Sequence, residues 1–377
     1  MMLRTDVTRM KILVGVYSQN EMVVPSVNLI RFEKNIEMFN PAAIVRNNDC
    51  ILKNIIISVS WDKSRKNIII FDSYNLIKKE TMGRIAESEL IINGDGSIFH
   101  LHITPEDLAD TVMLVGDPGR VDMVAQFFEE IEVDKSSREF HTITGKYKGK
   151  RISVISTGIG CDNIDIVVNE LDALKNIDFN TREVKPVHTQ LNILRVGTSG
   201  AIQPEIPLGS FVFSHYSVGF DALLNWYGGR QNIADAKVEG DFLAHMGEEW
   251  VEKKLPIPYF VKASENLIEL FSDSTVKGMT ISAGGFYGPQ CRVLRLPIAI
   301  PDMMDRLESF RSGEWKITNF EMEGSALAGL ARNLGHNAAT VCCIIAARYA
   351  GDSNTDYKPR VKELIKLALD KLAEITK

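Results

Sequence analysis

From Leu114 onward the chain alternates short apolar runs with segments of helical spacing. The run Val112-Met113-Leu114-Val115 stops at Gly116-Asp117-Pro118-Gly119-Arg120, and apolar positions then recur at helical intervals from Val121 to Ile131. A second apolar run, Leu191 to Val196, leads into the small and hydroxylated residues Gly197-Thr198-Ser199-Gly200. Helical spacing returns over Ala326 to Leu334, followed by the very apolar strand pattern Ala338 to Ala347. Strands that alternate with helices predict an α/β domain, and 377 residues at 45% hydrophobic content can bury a large core.

Residues 1 to 81 do not follow this pattern. Their Asn-rich apolar pieces include two candidate short strands, Asn54 to Ser60 and Lys66 to Phe71. Twelve Lys/Arg against eight Asp/Glu give this stretch a net charge of +4, leaving −10 for residues 82 to 377 of a chain whose total is −6. It reads as an N-terminal extension of unknown structure, either a small accessory domain or sequence upstream of a natural start at Met82.

Charge and composition narrow the function. A pI near 5.8 with no basic stripe gives no footprint for nucleic acid. The longest apolar runs are too short to span a bilayer, and the N-terminus mixes Arg4, Asp6, Arg9 and Lys11 without a cleavage pattern. Five Cys, two of them adjacent at Cys342 and Cys343, make no disulfide or metal framework, so a reducing cytoplasm is expected.

Several segments carry candidate chemistry. At Gly116 to Arg120 an apolar run ends in a turn that opens a helix, which points backbone N–H groups at an anion while Arg120 adds full charge. Arg195, at the end of an apolar strand and followed by Gly-Thr-Ser-Gly, can hold phosphate oxygens through guanidinium, backbone and hydroxyl together. In Glu321-Met322-Glu323 a carboxylate can bond adjacent sugar hydroxyls while the thioether packs under the ring. Gly285-Phe286-Tyr287-Gly288-Pro289-Gln290-Cys291-Arg292 sets a donor-acceptor amide two residues from a rigid fork of donors, with aromatic residues for a wall, as suits the edge of an imide ring. Each segment also has a plainer reading: an ordinary strand-to-helix turn, a buried Arg tied to a carboxylate, an acidic helix start, a solvated loop. Phe99-His100-Leu101 and Ser137-Arg138-Glu139-Phe140 taken alone read as a structural His and a surface ion pair.

Taken in order, F-H-L, G-D-P-x-R, S-x-R-E-F, S-T-G-I-G, R-V-G-T-S-G-A-I, F-Y-x-x-Q-x-R and E-M-E resemble the nucleoside phosphorylases of the hexameric type, in their uridine phosphorylase branch. The resemblance runs from about His100 to the C-terminus. It implies a single three-layer domain with a mixed central sheet over residues 82 to 377, in a homo-oligomer with shared active sites. It also implies phosphate at Gly116, Arg120, Arg195 and Thr198, joined by Arg138 of a neighbouring subunit. Ribose falls to Met322 and Glu323 with the neighbour's His100, and uracil to Ser199, Gly200, Phe286, Gln290, Arg292 and Arg348. Arg195, Glu323, Arg292 and Gln290 are the residues expected to carry catalysis. Ala347 and Arg348 stand where purine-cleaving relatives have an Asp that protonates the base. Uridine, and by extension deoxyuridine or thymidine, is thus the expected substrate, phosphate the co-substrate, and no metal or organic cofactor is required.

The chain also departs from the family pattern. Cys161-Asp162-Asn163 follows Gly158-Ile159-Gly160 where many relatives have small residues and Pro. This alters the place near Glu139, Ile159 and Asn163 where family members can hold a monovalent cation between subunits. A polar insertion spans roughly Asn176 to Gln190, and Asp221 to Lys254 is rich in Trp, Gly and charge. Cleavage of a purine nucleoside, hydrolysis by water on the same fold, and nucleoside binding without turnover stay open as alternatives.

Overall fold

The computed structural model describes residues 83–375 throughout and, before them, only the backbone of four short strands. Those strands form two antiparallel hairpins, Val16–Ser18 with Glu21–Val23 and Ile57–Asp62 with Asn67–Asp72. The second hairpin overlaps both candidate strands read from the sequence. Chain contacts divide the protein into two compact units, Met1–Thr81 and Met82–Lys377.

The larger unit is built on a mixed sheet. Its main strands are β1 (Thr111–Val115), β2 (Glu130–Ser137), β3 (Phe140–Tyr147), β4 (Lys150–Ser156), β5 (Asn192–Ala201), β6 (Phe211–Gly219), β7 (Tyr259–Lys262), β8 (Val276–Ser282), β9 (Trp315–Glu321) and β10 (Asn337–Ala347). They run in the spatial order β9-β8-β6-β10-β5-β1-β4-β3-β2, with β7 added against β6. The centre is parallel, β5 lying between β10 and β1, whereas β3 pairs antiparallel with both β2 and β4. The far end of β5 also pairs with β9, through Gly200 opposite Phe320 and Ala201 opposite Asn319, so this part of the sheet curls back on itself.

Helices cover both faces, and for that reason the central strands are apolar on both sides. Met113, Val115, Leu194 and Val196 pack with α1 (Pro118–Ala125), α4 (Glu265–Leu270) and α7 (Lys358–Glu374). Val112, Leu114 and Ile193 point the other way, onto α2 (Cys161–Asn176) and α6 (Gly324–Asn333). A third cluster joins β6, β8 and β9 to α3 (Ala236–Met246) and α5 (Met303–Ser309) through Phe220, Phe242, Met246, Trp250 and Phe310. The stretch from Asp221 to Lys254 thus contributes its own apolar layer, while leaving Trp226 exposed.

Two expected boundaries move. The helix after Pro118 ends at Ala125, not near Ile131, and Glu130 already starts β2. Phe128 turns down onto Gly145, where an added Cβ would meet its ring at 2.6 Å, and the chain then enters the sheet through Glu129 N–H to Lys146. The Gly-Thr-Ser-Gly segment is not a turn. β5 runs through it to Ala201, with a bulge at Ser199/Gly200 beyond which Gly200 and Ala201 stay paired with β10 on one side and pair with β9 on the other.

The polar insertion forms a two-residue-per-strand hairpin, Ile177–Asp178 with Glu183–Val184, from which Arg182 donates to the carbonyls of Ile85, Ala86 and Leu90. Its far end is clasped where Asp172, His188 and His336 bring ligand atoms within 4.8 Å of one another. The backbone N–H of Leu191 donates to His336 Nδ1 at 3.2 Å, which leaves the proton on Nε2, facing Asp172 at 3.1 Å. That nitrogen has no lone pair for a metal, so the cluster works as a hydrogen-bonded clasp.

On the third cluster's flank, His215 stacks on Trp315 with ring centroids 3.8 Å apart, and its Nδ1 is buried without a hydrogen-bond partner among the described residues. Burial, reinforced by the nearby Lys262 charge, lowers its pKa to about 4. A folded-state pKa below the ordinary value means that the unfolded chain takes the proton more readily. The stability this neutral stack contributes is complete above about pH 6.5 and is lost as pH falls toward 4. His215→Phe, which keeps the stack, is therefore expected to remove about 1 kcal/mol of the acid-side destabilisation at pH 5, less than the full shift implies because the ring edge reaches solvent. Thermal unfolding of both proteins at pH 7.5 and pH 5 measures this, and equal acid sensitivity would contradict it.

Candidate active site

The site begins at the carboxyl ends of β1 and β5. Arg195 on β5 pairs in register with Leu114, so the Gly116-Asp117 turn that follows β1 falls beside it. Asp117 caps α1 by accepting from Gly119 N–H at 2.9 Å, and Pro118 occupies the first turn. Arg120, one residue further, is half-buried, and the one hydrogen bond of its side chain among the described residues is a long one, Nη1 to Val196 O at 3.4 Å. Burial and then the Arg195 charge lower its pKa. Two guanidiniums thus lie close enough to repel, and an anion between them would relieve that repulsion.

Arg195 itself is buried and paired. Its Nη1 lies 3.0 Å from Glu321 Oε2 and its Nη2 bonds Glu323. Burial alone would lower its pKa, but Glu323 and Glu321 outweigh that and raise it. Gly197 is required beneath it, because a Cβ there would collide with Arg195 Nη1. The plainer reading of Arg195, a buried Arg tied to a carboxylate, therefore holds together with its place beside the Gly116-Asp117 turn. Thr198, next along β5, is half-buried.

Glu321 and Glu323 sit in different surroundings although only two positions apart. Glu321 ends β9, fully buried, and accepts from the Ser282 hydroxyl, from Glu323 N–H at 2.9 Å and from Gly324 N–H at 2.9 Å. Burial raises its pKa against the opposing pull of Arg195. Glu323 stands at the cap of α6, with Oε1 receiving Gly160 N–H at 2.7 Å and Oε2 facing Arg195. Met322, between them, is half-buried, and its carbonyl accepts from the Cys161 thiol at 3.1 Å. Burial, more than the nearby Asp221, holds that thiol's pKa well above its ordinary value.

A second group gathers where β5, β8 and β10 end. Ser199 accepts from Asn319 Nδ2 at 2.9 Å, and a Cβ at Gly200 would touch the Arg348 side chain at 3.5 Å. Arg348 donates to Gln290 O at 2.9 Å. Arg292 donates to the Gln290 side chain and to Phe286 O, with its guanidinium 3.8 Å over the Phe286 ring. Burial, then Arg348, lowers the Arg292 pKa to about 10, which leaves it charged at neutral pH. Gln290 is buried while Phe286 is half exposed, so the loop offers a polar floor and an aromatic edge.

His100 and Arg138 stand apart from both groups. His100 Nδ1 lies 2.6 Å from Glu170, and its ring meets Phe99 edge-on. Arg138, exposed and at positive φ, sits 5.6 Å over the same Phe99. Among the described residues neither bonds to Arg195, Glu323 or Arg120. Glu139 and Asn163 meet at Gly158, where both would crowd a Cβ, and Ile159 is exposed beside them.

Sequence reasoning missed Gly160 as the backbone donor to Glu323, Asn319 as the support of Ser199, and Glu321 as the buried anchor of Arg195. The glycines at 158 and 160, both at positive φ, were the available signal for the first.

The family model of the phosphorylase superfamily matches residues 110–377. A uridine phosphorylase of Thermococcus kodakarensis is 30% identical over 264 residues, covering 68% of this chain and 80% of its own. A DeoD-type purine nucleoside phosphorylase of Bacillus cereus is 27% identical over 278 residues, 72% of this chain and 97% of its own. Among solved structures, a Trypanosoma brucei nucleoside phosphorylase described as showing uridine phosphorylase activity superposes with a TM-score of 0.69 at 28% identity, covering 76% of this chain and 100% of that one. Among the described residues no helix is long and apolar enough to cross a membrane.

Proposed function

The chain belongs to the phosphorylase superfamily, and from that premise we propose that this nucleoside phosphorylase takes uridine, or its deoxy relatives, and phosphate to uracil and (deoxy)ribose 1-phosphate. The observation that carries phosphate as co-substrate is the under-paired Arg120 facing Arg195 at the opening of α1. A water-dependent nucleosidase has no need of two guanidiniums converging on an anion. Arg195 and Glu323 are bonded to each other, so a phosphate oxygen at Arg195 competes with the Glu323 carboxylate and turns it toward the sugar.

Cleavage of a glycosidic bond builds positive charge on the sugar and negative charge on the departing base. Phosphate under the ribose offsets the first while Glu323 bonds the 2′-hydroxyl. Gln290 and Arg292 offset the second by donating to uracil oxygens as electrons move onto the ring. Arg348 beside them supports a pyrimidine, because it and Ala347 supply no carboxylate to protonate a purine. Uracil release from uridine with and without phosphate, followed together with phosphorus NMR, tests the reaction class: a ribose 1-phosphate signal and phosphate-dependent uracil release are expected, and equal uracil release without phosphate would point to hydrolysis.

His100 bonds to Glu170 and Arg138 stacks on Phe99, and neither bonds to Arg195, which supports a site shared between subunits; a cytoplasmic protein that needs no cofactor is part of the same proposal. A His100→Ala protein mixed with an Arg292→Ala protein is expected to regain activity after subunit exchange, since some sites then carry neither lesion. Proven exchange without recovery would mean that each subunit builds its own site.

A further inference from the structure

Asp221 belongs to none of the groups given above to phosphate, sugar or base, yet three donors converge on its carboxylate. Tyr259 Oη lies at 2.7 Å, Ser325 Oγ at 2.6 Å and Leu223 N at 2.8 Å. Tyr259 and Ser325 are fully buried, and Ser325 is the second residue of α6, two positions after Glu323. Ser325 N–H in turn donates to Ser282 Oγ at 2.7 Å, and that hydroxyl donates to Glu321. The first turn of α6 is thereby held between two carboxylates, Glu321 on the Arg195 side and Asp221 on the far side.

We propose that Asp221 is a positioning residue for the sugar: by fixing Ser325 it sets the direction in which Met322 and Glu323 meet the ribose. The inference rests on the nucleoside reading. The phosphate side is anchored mainly outside α6, by the β1 turn, Arg120 and the Glu321 contact of Arg195, with the Arg195–Glu323 bond as its link to the sugar side. Loss of Asp221 should therefore weaken nucleoside binding far more than phosphate binding, a split that general destabilisation would not produce.

Calorimetric titration of the full chain with uridine and, separately, with inorganic phosphate tests this. Asp221→Ala is expected to weaken uridine binding roughly ten- to a hundredfold while phosphate changes by less than about threefold. Tyr259→Phe, which leaves the other two donors, should weaken uridine by a few-fold, and Asp221→Asn should restore part of the loss. If Asp221→Ala does not fold, Tyr259→Phe and Ser325→Ala carry the same comparison. Unchanged uridine binding, or equal losses for both ligands, overturns the positioning role alone. A wild-type protein that binds inosine and not uridine moves the comparison to inosine and overturns only the base assignment. Binding of neither nucleoside overturns the function and this inference together.

Discussion

Arg195→Ala is expected to lower kcat/KM by roughly a thousandfold or more and to destabilise the fold by about 3–5 kcal/mol. The activity loss follows from removing one of the two guanidiniums proposed to hold phosphate. The stability loss has a separate origin. Glu321 and Glu323 both pair with Arg195 in a buried setting, and without it two carboxylates face each other with no counter-charge. One of them must then hold a proton, so the variant should recover stability as pH falls, opposite to the acid response of His215. Adding Glu321→Gln removes one charge while keeping an acceptor for Ser282 and Gly324. Arg195→Ala/Glu321→Gln should regain much of the stability and none of the activity. Thermal midpoints and steady-state kinetics of the two variants check both halves, and a double variant that regains activity would remove Arg195 from the phosphate site.

Arg292→Ala is expected to lower kcat/KM for uridine by at least roughly ten- to a hundredfold, since a hydrogen bond to a charged group contributes about 1.5–3 kcal/mol. The Arg292 guanidinium also organises its loop, stacked on Phe286 and bonded to Phe286 O and the Gln290 side chain. Its removal therefore frees Gln290 as well, which places the expected loss toward the upper end. Arg292→Lys should rescue little, because a single ammonium cannot stack on the ring and donate in two directions. Inosine cleavage should not appear in either variant, as neither supplies a carboxylate near Arg348. Unchanged uridine kinetics in Arg292→Ala would take base recognition away from this loop.

What the sequence disclosed followed the range of the interactions. Strand-length apolar runs before Gly116 and across Ala338 to Ala347 were legible because both faces of these strands are covered, which leaves no polar alternation to confuse them. Gln290 and Arg292 were legible as a pair because they bond across two positions. The end of α1 was not, because Phe127 and Phe128 continue a helical spacing while packing from a turn. Nor was the passage of β5 through Gly-Thr-Ser-Gly, where pairing with β10, joined by β9 at Gly200, overrides residues that locally favour a turn. The support of Glu323 by Gly160, and of Ser325 by Asp221, spans more than a hundred positions and depends on how α2 and α6 come together.

Base choice is the central claim, and the ratio of kcat/KM for uridine to that for inosine, measured in one buffer at saturating phosphate, tests it most directly. The two guanidiniums at Gln290 and the absence of a carboxylate at Ala347 and Arg348 predict a ratio of roughly a hundred or more in favour of uridine. A ratio near one, or in favour of inosine, would contradict it.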